Sequence, residues 1–454
     1  MDIEKIVESQ RKFFNSRQTY DVNFRLEQLK KLRKSIKENY QLLIDAFIKD
    51  LNKSEHDVYM TEISLVVSEL KYFIKHLKSL AKPKKVKTSI TNLGSYGKIV
   101  PEPYGVNLIV APWNYPFQLS IIPVIGAIAA GNTVILKPSS ATANISDVIK
   151  KILSVFSENY ISVIIGSREE TEKLFDQKFD FAFFTGGTKT AKVLLEKLSK
   201  NLTPAVLELG GKSPCIVDYD ADIEKAVKKC VWGKFTNAGQ TCVAPDYFLV
   251  HETIKEKFIE KCKSEILKRY YVDGELSPNF VHIVNERQVE KIKNMIDYDK
   301  VVFGGKINGK VIEPTIMDNV NFEDKIMQEE IFGPVMPIIT FNSLENVIDD
   351  LQTKEKPLAL YYFSENKSKQ ELLYKNVIYG GGCINDTLVH VTEENLPFGG
   401  VGNSGMGSYH GEKTFKTFSH YKSVLINNKN FDFSIKYMPY NNKKTKLVKW
   451  IYKL

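Results

Sequence analysis

The run NLIVAP at residues 107–112 opens the rhythm that decides the fold. NTVILKP (132–138), SVIIG (162–166) and FAFFTG (181–186) follow, each a short apolar run, with helical stretches between them. Strands that are apolar throughout are covered on both faces, and strands joined through helices pair in parallel. The pattern predicts a doubly wound α/β sheet. A second set starts near residue 212 with PCIVD (214–218), YFLVHE (247–252), VVFGG (301–305) and ALYYF (359–363), and predicts a second α/β unit. Residues 1–82 carry helical periodicity, as in RLEQLKKLRKSIKENYQLLIDAFIKDL (25–51) and TEISLVVSELKYFIKHLKSL (61–80). KPKKVKTSITNLGSYGKIVPEPYG (82–105) then breaks it with Lys, Gly, Pro and β-branched residues, which marks a boundary and an extended excursion from the first unit.

Bulk composition limits the class. At 454 residues, 43% hydrophobic and 26% charged, the chain can bury large cores and is expected to divide into two or three domains. Its five cysteines are irregularly spaced with no CxxC pair, which fits a reducing compartment rather than a disulfide framework. The start, MDIEKIVESQRKFFNSR, has charges where a signal peptide needs an apolar core, and no apolar run approaches the ~18–20 residues of a spanning helix, so a cytoplasmic location is expected. The net charge of +9 is spread as lysines along amphipathic helices, where they read as solvated faces. Without zinc-finger spacing or an aromatic–basic RNA signature, no nucleic-acid partner is expected. None of the seven histidines has metal-ligand spacing, and HExxH is absent, so no metal is expected either; His410 and His420 read as surface or packing residues.

Two motifs carry chemistry. In FTNAGQTC (235–242) a thiol closes a short polar segment rich in small residues, directly after the helix-like ADIEKAVKKCVWGKF (221–235). Such a thiol can point into a cleft where its thiolate fraction sets its reactivity, which makes Cys242 the candidate nucleophile. Cys215, Cys230, Cys262 and Cys383 sit in apolar or helical surroundings and read as small buried hydrophobes. In LELGGKSP (207–214) an apolar strand-like run ends in Glu208 beside two glycines that allow close approach to the backbone, a place for a general base acting on water. An ordinary ion-paired glutamate has the same local pattern.

APWNYPFQLSIIPVIGAIAAGNTVILKPS (111–139), taken with LELGGKSP, FTNAGQTC, EEIFGPV (329–335) and PFGGVGNSGMG (397–407), resembles the aldehyde dehydrogenase superfamily: five separated motifs stand in the family's order. The short N-terminus, the overall length and the ending GSYHGEKTFKTFSHYKS (407–423) resemble the class 3 group more narrowly. The resemblance implies an α/β fold of two doubly wound domains plus a small β oligomerisation arm. It implies a cofactor domain at 1–82 and 105–208, a catalytic domain at 209–395, an arm at 83–104 and 396–430 that joins a homodimer, and a basic segment at 431–454. That last segment, with IKYMPYNNKKTKLVKWIYKL (435–454), is expected to form a helix packed over the body near the substrate entrance, with weak peripheral membrane contact as an alternative and no hydrophobic anchor.

The resemblance also implies oxidation of medium- to long-chain aliphatic or aromatic aldehydes to acids with NAD or NADP. Cys242 would form a hemithioacetal, Asn114 and the Cys242 backbone N–H would hold its oxyanion, and water activated by Glu208 would hydrolyse the thioester. Lys137 would contact the adenosine ribose, and FFTGGTKTA (183–191), with Gly186 and Thr188, would be the phosphate-side loop, although Ala191 stands where many members have Gly. Glu330 and Phe332 would hold the nicotinamide ribose and ring, with Glu329 a neighbouring structural carboxylate. Ser140 stands where many NAD-preferring relatives have a Glu; without that carboxylate to repel a 2′-phosphate, NADP is expected to be usable. The alternatives are a CoA-acylating relative, against which Glu208 argues, and a non-catalytic protein on the same fold, against which Cys242, Glu208 and Asn114 together argue.

Overall fold

The computed structural model describes residues 2–428 and 432–453. Its first sheet has six strands in the order Gly405–Met406, Ala205–Glu208, Phe181–Thr185, Val106–Val110, Thr133–Lys137, Ile161–Val163, all parallel except the first. Thr133–Lys137 and Phe181–Thr185 are buried along their whole length, which is why they read as unbroken apolar runs. The chain starts in the middle at Val106–Val110, winds outward to Ile161–Val163, then crosses back to Phe181–Thr185 and winds the other way. The carboxyl ends of Val106–Val110 and Phe181–Thr185 therefore flank the crevice where such sheets bind ligands.

The second sheet has seven strands, in the order Val301–Phe303, Thr315–Met317, Val335–Phe341, Tyr247–His251, Pro214–Val217, Ala359–Phe363, Gly381–Ile384, with only Val301–Phe303 antiparallel. The helix Pro116–Ala130 leaves the first sheet at its crevice, and all of its residues are buried. Proline suits its first turn, where the N–H has no helical partner, and Gly131 ends it with φ 94°.

The described part of 1–82, residues 2–82, is helical as expected, with details the periodicity does not carry. The 25–51 run is split at Asn39 into Val22–Glu38 and Tyr40–Leu51. In 61–80 the regular helix begins at Ser64, after a π-helical turn at Tyr59–Ile63. Charge on these helices is not all solvated: Arg25 is buried and donates to the carbonyls of Thr19, Tyr20 and Ala129.

A separate antiparallel sheet joins Lys84–Val86, Tyr96–Pro103 and Ser419–Ile426. Just before its last strand, Gly405–Met406 pairs with the edge of the first sheet and the helix Gly411–Thr417 packs on Pro116–Ala130, so closely that a Cβ on Gly126 would lie 2.4 Å from the Thr414 side chain. The C-terminal helix Asn442–Ile451 forms, but none of its residues is buried, so it does not pack over the body as expected. Among the described residues, no helix is long and apolar enough to cross a membrane.

Candidate active site

Cys242 owes its position to the polar residues before it. Asp222 starts the preceding helix, Ile223–Phe235, by accepting the Lys225 N–H. The chain then reverses through three left-handed residues, Asn237 (φ 54°), Ala238 (φ 51°) and Gly239 (φ 72°). Ala238 in this region costs ~1–2 kcal/mol, and the turn persists because side chains pin it. Gln240 Nε2 donates to the carbonyls of Asn237 and His282, both at 3.1 Å, while its Oε1 accepts the Val284 N–H at 3.0 Å. Asn237 Nδ2 donates to the carbonyls of Asn114 and Gln240. Gly239 is required, since a Cβ there would lie 2.3 Å from the Gly333 carbonyl oxygen.

The same network orients Asn114, whose Nδ2 donates one N–H to the Gln240 carbonyl at 3.0 Å, leaving the other available. Glu208 ends the strand Ala205–Glu208, is 2% exposed, and neither of its oxygens has a hydrogen-bond partner. Burial pushes its carboxyl well above the ordinary range. Glu330 is half-buried, and its carboxyl is pushed up to about 8, by desolvation first and by Asp246 second. Its carboxylate presses on the backbone of Gly210, where a Cβ would lie 2.1 Å from Oε2. Burial, then Glu330 and Glu208, push the Cys242 thiol up to about 12, against the backbone N–H groups of Cys242 and Val243, which favour the thiolate.

Asn114, Gly186, Glu208, Cys242, Glu330 and Phe332 come together around one cleft of about 190 Å³. Through Gly187, Gly210 and Glu330 it continues into a cavity of about 570 Å³ lined by Thr188, Lys192 and Lys212. Lys137 and Ser140 are not brought into either. Lys137 ends the neighbouring strand, buried, with Nζ donating to the Pro138 carbonyl at 3.0 Å, and Ser140 is exposed in the turn that follows. On its other side Cys242 lines an apolar cavity of about 240 Å³ with Tyr115, Leu119, Trp232, Phe398 and His410. His410, expected at the surface or in packing, is buried and stacks on Phe398 at 5.3 Å as part of that wall.

The polar side of this arrangement fits a dinucleotide. Gly187 caps the helix Thr188–Ser199 without any side-chain acceptor, a Cβ at Gly187 would meet nothing within 4 Å, and Thr185 Oγ1 lies buried without a partner. Free N–H groups at a helix start, open space above a glycine and nearby lysines suit a diphosphate. The expected motifs did not include Gln288 and Lys291 of the helix Glu286–Lys293, which line the cleft; Lys291 Nζ donates to the Glu330 carbonyl at 2.8 Å and pairs with Glu329 at 3.2 Å. An amphipathic helix with ordinary charges gives no sequence signal for that role. Among the described residues no cluster of His, Cys, Asp or Glu could hold a metal ion, and all five cysteines are free thiols.

Comparison with known proteins matches this geometry to a family. The model of the aldehyde dehydrogenase family covers residues 1–424. A 4,4'-diaponeurosporen-aldehyde dehydrogenase of Staphylococcus aureus is 44% identical over 446 residues, 97% of either chain. A dimeric, NADP-preferring aldehyde dehydrogenase of Rattus norvegicus is 42% identical, covering 93% of this chain and 94% of its own. A structure of Staphylococcus aureus AldH in a substrate-bound state superimposes with a TM-score of 0.97 over all of both chains at 43% identity. A thiol held between a dinucleotide cleft and an apolar cavity, on this fold and with these relatives, means that the chain belongs to the aldehyde dehydrogenase family and is an NAD(P)-dependent aldehyde dehydrogenase.

Proposed function

We propose that the enzyme oxidises medium- to long-chain aliphatic or aromatic aldehydes to carboxylic acids through a thioester on Cys242. The observation that carries this is the place of Cys242 at the junction of two unlike spaces, a polar cleft on one side and an apolar cavity on the other. An aldehyde with an apolar tail in that cavity presents its carbonyl carbon to Sγ. Cys242 first gives its S–H proton to solvent; as the C–S bond forms from the thiolate, the carbonyl oxygen takes up the negative charge, and the free N–H of Asn114 with the Cys242 backbone N–H donates to it, one such donor being worth ~10²–10³ in rate. NAD(P), when bound in the polar cleft, supplies the oxidant that accepts the hydride of the aldehyde carbon. Thr188 and Gly186 would hold its phosphates and Glu330 and Phe332 its nicotinamide half, while Lys137 and Ser140, at the end of the neighbouring strand and outside both cavities, would hold its adenosine ribose. Glu208 then takes a proton from water as the water oxygen bonds to the thioester carbon and the C–S bond breaks. Unpartnered oxygens and a carboxyl pushed up by burial suit a base for that step.

The antiparallel sheet supports a homodimer. Ser419–Ile426 is its edge strand, with Val424 and Leu425 exposed, and an open edge of this kind is a template for pairing with a second copy. The domain division and arm that the resemblance implies, and the cytoplasm as compartment, are part of the same proposal. The basic segment 431–454, none of whose described residues is buried, is free for weak peripheral contact with a membrane surface.

NAD(P)H formation across a series of aliphatic and aromatic aldehydes, with and without CoA, tests the proposal. CoA-independent turnover with kcat/KM rising with chain length is expected. A strict need for CoA would assign an acylating enzyme instead.

A further inference from the structure

A buried ion pair behind the active site links its separate parts. The π-helical turn Tyr59–Ile63 lies between α-helical residues on both sides. Such turns insert one residue into a helix and recur at functional sites, because they re-aim side chains that a regular register would misplace. Here the turn carries Glu62. Glu62 Oε2 accepts the Gln118 N–H at 2.8 Å, one of the first-turn N–H groups that the helix Pro116–Ala130 leaves unbonded. Glu62 Oε1 faces Lys53 Nζ at 3.5 Å, and the two side chains are 0% and 1% exposed. Lys53 Nζ in turn lies 4.4 Å from the centre of the Tyr115 ring. The Tyr115 hydroxyl is hydrogen-bonded to Thr241 Oγ1 at 2.7 Å. Contacts thus run from the wide turn through Lys53 and Tyr115 to the residue before Cys242, while Tyr115 itself follows Asn114. Met60 and Thr61 of the same turn line the apolar cavity.

We propose that Lys53 and Glu62 are positioning residues that hold the Asn114–Tyr115 segment against the Thr241–Cys242 segment, so that the oxyanion donor and the nucleophile stay in register. This rests on the roles proposed above for Cys242 and Asn114. Stability alone does not account for the pair, since well-packed apolar residues of equal volume are often as stable as a buried ion pair. The two charges supply direction. Glu62 fixes the start of the helix through its carboxyl oxygen, and Lys53 fixes the face of the Tyr115 ring in a buried site. Neither touches the reacting atoms, so each acts through Tyr115 and the helix.

The test is the double variant Lys53→Met/Glu62→Gln, which avoids leaving one buried charge alone and keeps an acceptor for the Gln118 N–H. Stopped-flow NAD(P)H bursts, steady-state constants and thermal unfolding are measured on the whole enzyme, with Cys242→Ala in parallel. The expected result is a burst rate constant lower by about 10- to 100-fold, with KM for NAD(P) within about twofold of wild type and a cooperative unfolding transition retained. A wild-type burst rate in the folded double variant overturns the positioning role, even where Cys242→Ala is inactive. Turnover in Cys242→Ala overturns the covalent reading beneath it. Tyr115→Phe, which keeps the ring under Lys53 and deletes only the bond to Thr241, supplies the second check: its burst rate falls about tenfold if the contact chain transmits position, and an unchanged rate refutes it.

Discussion

Gly210→Ala separates the position of Glu330 from the stability of the fold. A Cβ at residue 210 would lie 2.1 Å from Glu330 Oε2, 2.7 Å from Cδ and 2.8 Å from Oε1. Ordinary carbon–oxygen contact is ~1 Å longer than the shortest of these, so the carboxylate must retreat by about that much. The backbone of Gly210 is not in the left-handed region, so alanine adds no conformational strain there. What moves is the end of a flexible side chain, and the stability cost belongs at the low end of overpacking, about 1 kcal/mol. The functional cost is larger, because a displacement of ~1 Å in a positioning group costs as much as 10²-fold. Glu330 is also held by the Gly211 N–H, with Lys291 and Lys212 nearby, so it has few places to go. We expect kcat/KM for NAD(P) at saturating aldehyde to fall by about 10- to 100-fold with little change in urea midpoint. Glu330→Gln should add little to Gly210→Ala, since the two act on one group. A kcat/KM within twofold of wild type would refute the assignment of Glu330 to the cofactor.

Two further outcomes follow from single groups. Ser140→Glu should lower the ratio of kcat/KM for NADP to that for NAD by about tenfold, roughly 1.4 kcal/mol, at fixed salt, because the new carboxylate faces the 2′-phosphate and suits the ribose hydroxyls; an unchanged ratio removes Ser140 from the adenosine ribose. His390 and His410 are both depressed by burial to about 4 from an ordinary 6.5. The unfolded chain takes up those protons first, so the stability they contribute is complete above 6.5 and is lost as pH falls toward 4. Urea midpoints of wild type and His410→Phe, compared between about pH 7 and pH 5, should converge as pH falls, and parallel curves would contradict the burial argument.

The strands of both sheets were legible wherever the run is uniformly apolar, because burial on two faces leaves no alternation to obscure it. VMPIITF (335–341) escapes that rule through Pro337, a residue that argues against a central strand. The structure accommodates it because residues 335–337 pair with Thr315–Met317 and only 338–341 pair with Tyr247–His251, so Pro337 owes no N–H to the second neighbour. That Cys242, Glu208 and Asn114 share one cleft was legible because each lies in a compact motif beside the end of an element. Lys53 and Glu62 were not, since the eight residues between them, SEHDVYMT (54–61), look like a solvated face, and only the π-helical turn brings the two together inside. The apolar cavity draws Thr61, Trp232, Phe398 and His410 from distant segments, and no local pattern joins them.

The most direct measurement of the central claim is a stopped-flow record of NAD(P)H formation by Glu208→Gln. Glutamine keeps the size of a side chain whose two oxygens bond to nothing else, so the fold and the cofactor cleft are left in place. Acylation requires the Cys242 thiol and the oxyanion donors, whereas release of acid requires the base that delivers water. The variant should therefore form NAD(P)H in a rapid burst about equal to the enzyme concentration and then turn over slowly, with acyl group accumulating on Cys242. Burst and steady state falling together, or both staying at wild-type rates, would contradict hydrolysis of a Cys242 thioester by Glu208-activated water.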